Sequence, residues 1–301
     1  MLQVRRTVLF VAFLLFTSNG ETTAFITATP LIRQTSTCLL AAHQTTTNTL
    51  QHAGLPPILQ QVECGDSIIG FRQTISGLHN ITAERIAQSP PIFLLKHFLT
   101  YDECDSILST LNAMEPAQTA SGLQEDMVRK RSFVAWLGND KADGVVGRLA
   151  DSVRQMMLVP SPSLGVEDMQ ALRYDPGGEY ICHHDGNERI LTVIYYLNDH
   201  GETYFPLAQP IDSDVVRPQT RQQALDLAER MKPGTDGVLV SASASTQTKS
   251  CIPVTRGDAV AFYSYIENGT LDWQALHAGL PAKNVKYVAN HFFQNVAMSR
   301  G

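Results

Sequence analysis

From Met169 onward the chain alternates short runs of β-branched and aromatic residues with turn formers, and that rhythm leaves little room for helices. The runs are Met169 to Tyr174, Tyr180 to Asp185, Ile190 to Leu197, Thr203 to Pro206, Asp258 to Tyr265 and Lys286 to Phe293. Asp175-Pro176-Gly177-Gly178 and Asn198 to Gly201 read as the turns between them. Many short strands punctuated in this way fit two packed sheets, a jelly roll. The expected class is α+β, mainly β, with two helices supporting the sheet from the N-terminal side. Thr100 to Met114 opens on a Thr N-cap with Glu103 three positions later and carries Ile107, Leu108 and Leu111 at helical spacing. Asp143 to Met157 carries Val145, Val146, Leu149, Val153 and the Met156-Met157 pair on one stripe, which is a core face.

His183 and Asp185 flank His184 within one of these runs. On an extended segment, side chains two apart share a face, so one imidazole and one carboxylate can converge on a single ion while His184 points away. The candidate third ligand is His277, far along the chain in Leu276-His277-Ala278-Gly279. Two His and one carboxylate on one side of an ion leave open positions on the other, an arrangement suited to non-haem Fe(II). The spacing by itself also fits a loop His beside a capping Asp. A hydrolytic zinc site and a catalytically silent binding module are the other readings that these residues allow.

The ordered series Tyr174, Gly177-Gly178, Tyr180, His183, Asp185, Arg189, Thr192, Tyr196-Leu197-Asn198, Gly201-Glu202-Thr203 and Phe205-Pro206 resembles the catalytic core of the prolyl 4-hydroxylase family of Fe(II)/2-oxoglutarate dioxygenases. Upstream, Pro91 to Leu108, Arg131-Ser132, Trp136-Leu137, Glu167, Gln170 and Arg173 extend the similarity. Downstream, Pro253-Val254, Gly257-Asp258, Phe262, His277-Ala278-Gly279, Pro281 and Lys286 complete it, over roughly residues 90 to 295.

The resemblance implies a double-stranded β-helix and hydroxylation of prolyl residues in a protein or peptide, with release of succinate and CO2. It implies Fe(II), 2-oxoglutarate as co-substrate, O2 and ascorbate. His183, Asp185 and His277 would hold the metal. Lys286 would meet the distal carboxylate of 2-oxoglutarate, Tyr174 and Thr203 would offer it hydroxyl groups, and Arg189 and Glu167 would lie by the peptide groove. Arg189 and Glu167 also fit an ordinary surface ion pair. Four departures bear on the substrate. Only Gly186 to Glu188 separate Asp185 from Arg189, one Gly precedes Glu202-Thr203, the His277 to Lys286 spacing is a residue short, and Phe292 replaces the usual Trp.

The rest of the chain sets boundaries. A net charge of -6 over 301 residues gives no electrostatic reason to bind nucleic acid. Arg5-Arg6 ahead of the apolar run Thr7 to Phe16 reads as a signal peptide over residues 1–24, because the run is about half the ~20 residues that a membrane span needs. Residues 25–88, acid-poor and rich in Thr, Ser, Gln and Ala at their start, read as a linker, stem or targeting segment. The expected destination is the lumen of the endoplasmic reticulum; a two-part plastid targeting sequence is the alternative. The catalytic domain is placed at residues 89–301, with an insertion at 207–252 that holds a helix at Gln219 to Met231, a strand at Gly237 to Val240 and a polar loop at Ser241 to Ser250. Such an insertion is either decoration or a substrate lid. Five cysteines without a C-x-x-C pair exclude a zinc knuckle or thioredoxin-like site and allow one or two disulfides.

Overall fold

Period-two alternation positions the candidate site, because nearly every central strand is buried on both faces. In the computed structural model, residues 13–16, 22–25, 62–74, 76–111, 113–117, 128–157, 164–186, 188–209, 217–242, 250–266 and 269–295 are described. The chain divides into two compact units, residues 1–45 and 46–301. In the first, β1 (Phe13–Phe16) pairs antiparallel with β2 (Thr22–Phe25). The signal peptide and most of the stem expected from the sequence otherwise lie outside the described residues. No helix among the described residues is long and apolar enough to cross a membrane.

The second unit begins with a hairpin, β3 (Ser67–Thr74) and β4 (Gly77–Ala87), followed by β5 (Ile92–Lys96) and helix α1 (Tyr101–Ser109). Next come β6 (Glu115–Pro116), β7 (Arg129–Leu137), helix α2 (Val145–Met157), β8 (Leu164–Val166) and the long β9 (Met169–His183). β10 (Arg189–Tyr196), β11 (Glu202–Phe205), helix α3 (Arg221–Ala228), β12 (Val238–Ser241), β13 (Cys251–Pro253) and β14 (Ala259–Tyr263) follow. A 3-10 turn at Trp273–Ala275, β15 (His277–Gly279) and β16 (Lys286–Asn295) close the series. The hydrogen-bonded order is β13-β12-β11-β15-β9-β16-β10-β14-β5-β4-β3, with β7 also on β9 and β8 also on β16.

This sheet curls over on itself into a two-layered jelly roll. Phe205, Val238 and Val240 from one layer share an apolar interior with Leu172, Ile194, Tyr196, Phe262 and Val288 from the other. The alternate residues Leu191, Val193, Tyr195, Ala261, Tyr263, Ala289 and Phe293 point outward and join Ile107 of α1 with Val145, Leu149 and Val153 of α2 in a second core. Helix α1 starts where the sequence places it: Thr100 accepts from the Glu103 backbone and Glu103 returns a bond to the Thr100 backbone. It ends at Ser109, earlier than the apolar pattern suggests.

Three expectations are corrected. Ser67 to Ala87, assigned to a linker, forms two paired strands continuous with the domain sheet. The hairpin is held by Arg72, whose side chain is 1% exposed and forms an ion pair with Glu103 of α1. Asp175 to Gly178 is no turn but an irregular bend inside a continuous β9. There the strand passes from pairing with β16 to pairing with β15, while β7 follows its other edge with a bulge at Lys130–Ser132. A Cβ on Gly178 would stand 2.7 Å from the Asp175 carbonyl oxygen and 2.9 Å from that of Arg131, so only glycine fits. The 207–252 insertion, finally, holds the strand expected at Gly237 to Val240, as β12 on β11, and also a second one that was not expected, β13 parallel to β12. Its helix starts at the Thr220 N-cap and is shorter than expected.

Candidate metal and co-substrate site

β15 pairs with the end of β9 so that His277 stands directly opposite His183. Each imidazole has its Nδ1 against the carbonyl two residues earlier, His183 on Ile181 at 2.9 Å and His277 on Ala275 at 3.1 Å. A carbonyl only accepts, so both protons sit on Nδ1 and both Nε2 lone pairs are free. Those atoms face Asp185 Oδ1 at 3.6 and 3.7 Å. The Thr192 hydroxyl donates to the other oxygen, Oδ2, at 2.6 Å and fixes the carboxylate plane. One ligand atom from each of the three residues lies within 4.8 Å of the others, spacing that one divalent ion would fill.

Charge agrees with this geometry. Burial alone would raise the Asp185 carboxyl, yet His277, His183 and the Thr192 hydroxyl together hold it far below the usual range, so it is an anion. Burial pushes His277 down to about 3, against the pull of Asp185, so its ring is neutral and able to ligate.

The three ligands and Lys286 line one and the same cleft, which opens to solvent. Lys286, Val288, Asn290 and Phe292 all line it, as alternation along β16 requires. The Lys286 ammonium donates to the Glu202 carbonyl at 3.0 Å and forms no ion pair among the described residues. Burial lowers it to about 8, with Glu202 opposing. Its stem passes over Gly201, where a Cβ would fall 2.2 Å from Lys286 Cδ. Tyr174 pairs with Lys286 across the strands, with the ammonium 5.4 Å from its ring centroid, and burial pushes its phenol up to about 12. Thr203 is buried beside them and accepts from the Tyr196 hydroxyl at 2.9 Å, which leaves its own proton to donate. A buried cation without a counter-charge, flanked by two neutral hydroxyls, is a cradle for a carboxylate.

Arg189 and Glu167 are committed to each other. The guanidinium donates from Nε and Nη2 to the two carboxylate oxygens at 2.6 and 2.7 Å and lies 3.6 Å from the Phe292 ring centroid. Gln294 donates to the same carboxylate at 2.6 Å. The pair thus forms a half-buried, bidentate wall beside the cleft, with an Arg189 contact to the Asp185 carbonyl at 3.5 Å.

Sequence reasoning missed Arg129, which lines the cleft with its guanidinium 4.0 Å from the Tyr180 ring centroid and its Nε buried without a partner. Nothing in the local pattern marks it: it reaches the cleft because β7 bulges before Ser132. Tyr180, which only the family resemblance marks in the sequence, is stacked 3.6 Å from the His183 ring. Cys182 faces away from the ligands, as the alternation implies, and Cys64, Cys104, Cys182 and Cys251 are all free.

Residues 169–294 match the 2OG-Fe(II) oxygenase superfamily. The chain is 28% identical over 228 residues to a protein of Arabidopsis thaliana named "Probable prolyl 4-hydroxylase 8", an alignment that covers 70% of each chain. It is 26% identical to "Probable prolyl 4-hydroxylase 4" of the same plant, over 66% of this chain and 65% of that one, so it spans about two thirds of the length of these relatives. Among solved structures, the viral collagen prolyl hydroxylase of Paramecium bursaria Chlorella virus-1 in complex with 2OG is similar at 21% identity and a TM-score of 0.44, over 68% of this chain and 96% of that one. The superfamily match covers the strands that carry the three ligands, and the relatives to which the chain is similar across about two thirds of its sequence are named as probable prolyl 4-hydroxylases.

Proposed function

We propose that the protein is an Fe(II)- and 2-oxoglutarate-dependent dioxygenase that hydroxylates prolyl residues of a peptide or protein. In the overall reaction O2 oxidises both partners: 2-oxoglutarate becomes succinate and CO2, and the substrate C–H becomes C–OH. One observation carries this reading, the convergence of two Nε2 lone pairs and one carboxylate in a cleft that a buried ammonium, without an ion-pair partner among the described residues, also lines.

Ferrous iron, when bound, supplies the activation of O2; everything else is the work of side chains. His183, Asp185 and His277 offer one face of ligands and leave the cleft side open. Thr192 keeps Asp185 oriented and ionised. Lys286 and the Thr203 hydroxyl would bind the distal carboxylate of 2-oxoglutarate, with Tyr174 as a neutral donor beside them. Leu172, Ile194, Val288 and Phe292 give the cleft apolar walls against which a bound co-substrate would displace water. We assign the same reading ascorbate as the external reductant that keeps iron ferrous, and entry into the secretory pathway, for which the N-terminal Arg5-Arg6 and apolar run speak.

The test is to incubate the purified protein with Fe(II), 2-oxoglutarate, ascorbate and a library of proline-containing peptides. The expected result is succinate in step with the mass of one oxygen atom gained on proline. Succinate without oxygenated proline would move the substrate elsewhere, and no succinate under any condition would leave a binding module.

A further inference from the structure

None of the described residues of the segment inserted between β11 and β14 lines the cleft, and its helix sits behind the metal ligands. Ala224 of α3 is fully buried and forms a small apolar cluster with Leu207 and Leu276. Leu225, Leu227, Ala228 and Met231 pack against that cluster from the helix side, and Cys182 and Trp273 from the sheet side. Two of these are immediate neighbours of ligands. Cys182 precedes His183 and Leu276 precedes His277, and in each case the ligand points to the other side of its strand.

The third ligand is tied to the same unit. His184, between His183 and Asp185, accepts from the Gly186 backbone N–H at 3.2 Å on Nδ1, so its Nε2 carries the proton and donates to the Asp272 carbonyl at 3.2 Å. Its ring lies 5.2 Å from that of Trp273. Polar bonds attach the insertion to this short Asp272–Leu276 stretch as well. Arg217 donates to Asp272 Oδ2 at 3.3 Å, and Gln274 donates from Nε2 to the Leu207 carbonyl at 3.2 Å. Asp272 in turn caps the turn through the Gln274 N–H at 3.1 Å.

We infer that α3 is a brace for the metal site: it docks on Cys182, the His184–Trp273 contact and Leu276, and so sets the separation of His183, Asp185 and His277. The residues of the brace touch neither metal nor substrate; they are positioning residues. The inference rests on the proposed metal set, and it goes beyond it by giving the insertion a task. Outer partners of this kind tune affinity through the geometry of the ligands they hold, typically by about 10- to 100-fold.

The experiment titrates Mn(II) into metal-free protein and follows both the free Mn(II) signal and the thermal unfolding midpoint. Ala224→Leu wedges extra volume between α3 and Leu276 and should weaken Mn(II) binding about tenfold in protein that remains folded. Arg217→Ala removes a half-exposed side chain and leaves the buried Asp272 carboxylate without its cation; it should weaken binding in the same direction, by roughly threefold, and Arg217→Lys, which keeps the charge, should restore it. If Ala224→Leu fails to fold, the Arg217 pair decides alone. Unchanged Mn(II) affinity in the folded variants overturns the brace, whatever happens to the unfolding midpoint, and so does unchanged affinity combined with a raised peptide KM, the signature of a lid. His183→Ala is the control: its loss of Mn(II) binding leaves the site standing even if the brace falls, whereas retained binding sinks both.

Discussion

Lys286 is the residue whose surroundings say most about a ligand, since a buried ammonium facing only a carbonyl and hydroxyls is costly unless an anion joins it. Lys286→Ala should raise the 2-oxoglutarate KM by about 10- to 150-fold, the equivalent of losing a charge-assisted hydrogen bond of roughly 1.5–3 kcal/mol. Metal affinity should stay as in the parent, because the ammonium is not among the groups that could hold the ion. A metal titration and a co-substrate titration on one preparation check both halves. His183→Ala and Asp185→Ala should do the reverse, abolishing metal binding and turnover in a folded protein, and His184→Ala should be milder because that ring offers no ligand atom to the site: its nitrogens bond Gly186 and Asp272 and it packs on Trp273. Alternation along a strand, a backbone property that survives without coordinates, places His183 and Asp185 on one face with His184 turned away, whereas the role expected of Lys286 comes from the family resemblance. Neither signal marks Arg129. A one-residue bulge decides which way it points, and no residue type announces a bulge of that kind.

At the scale of elements, legibility followed how far a strand's partners lie from it. β10 and β14 are nearly continuous apolar runs and stand out; β3 buries Gly70, Arg72 and Thr74 while exposing Ile69 and Phe71, the inverse of an apolar core face, and with β4 it reads as linker. Their hold on the domain is a long-range contact, the Arg72–Glu103 pair, which hydrophobic patterning does not register. Arg72 Nε also donates to the Phe98 carbonyl, so the guanidinium stitches β3 to both ends of the turn that leads into α1. Removing one partner of such a buried pair leaves an uncompensated charge, at a cost of about 3–5 kcal/mol. Arg72→Met alone should therefore lower the denaturant midpoint sharply, as should Glu103→Leu. The double variant should recover most of the loss, because an apolar replacement of the whole pair removes the buried charge altogether. An additive double variant would mean that the two side chains act independently, and the hairpin would then be held by its strand pairing alone.

For the molecule as a whole, the outer core carries one polar side chain with a pH consequence. His291 stands on β16 between Ala289 and Phe293, fully buried on the face away from the cleft. Its Nδ1 shares a 3.0 Å hydrogen bond with the Tyr195 hydroxyl of β10, its Nε2 has no partner, and the ring of Phe293 lies 6.0 Å away. No carboxylate pairs with it; the charged group that acts on it is Arg154 of α2, which repels a second positive charge. Burial first, and Arg154 second, push its folded-state pKa down to about 3, whereas in the unfolded chain it titrates near ~6.5. The neutral ring is thus compatible with the fold and the charged ring is not. Above the unfolded value both states bind no proton and the group is silent. As the pH falls from ~6.5 towards 3, the unfolded chain takes up a proton that the folded one refuses, and stability is lost at about 1.4 kcal/mol per pH unit. Replacing His291 by Phe removes this contribution along with the Tyr195 bond. The variant should be less stable than the parent at neutral pH, where an unpaired buried hydroxyl costs about 1–3 kcal/mol. It should then lose less stability on acidification, so that the two stability curves converge between pH ~6.5 and ~4. Urea unfolding of both metal-free proteins at several pH values across that window measures the difference. Parallel curves would show that His291 titrates alike in both states, and that its burial is not what makes the folded protein acid-sensitive.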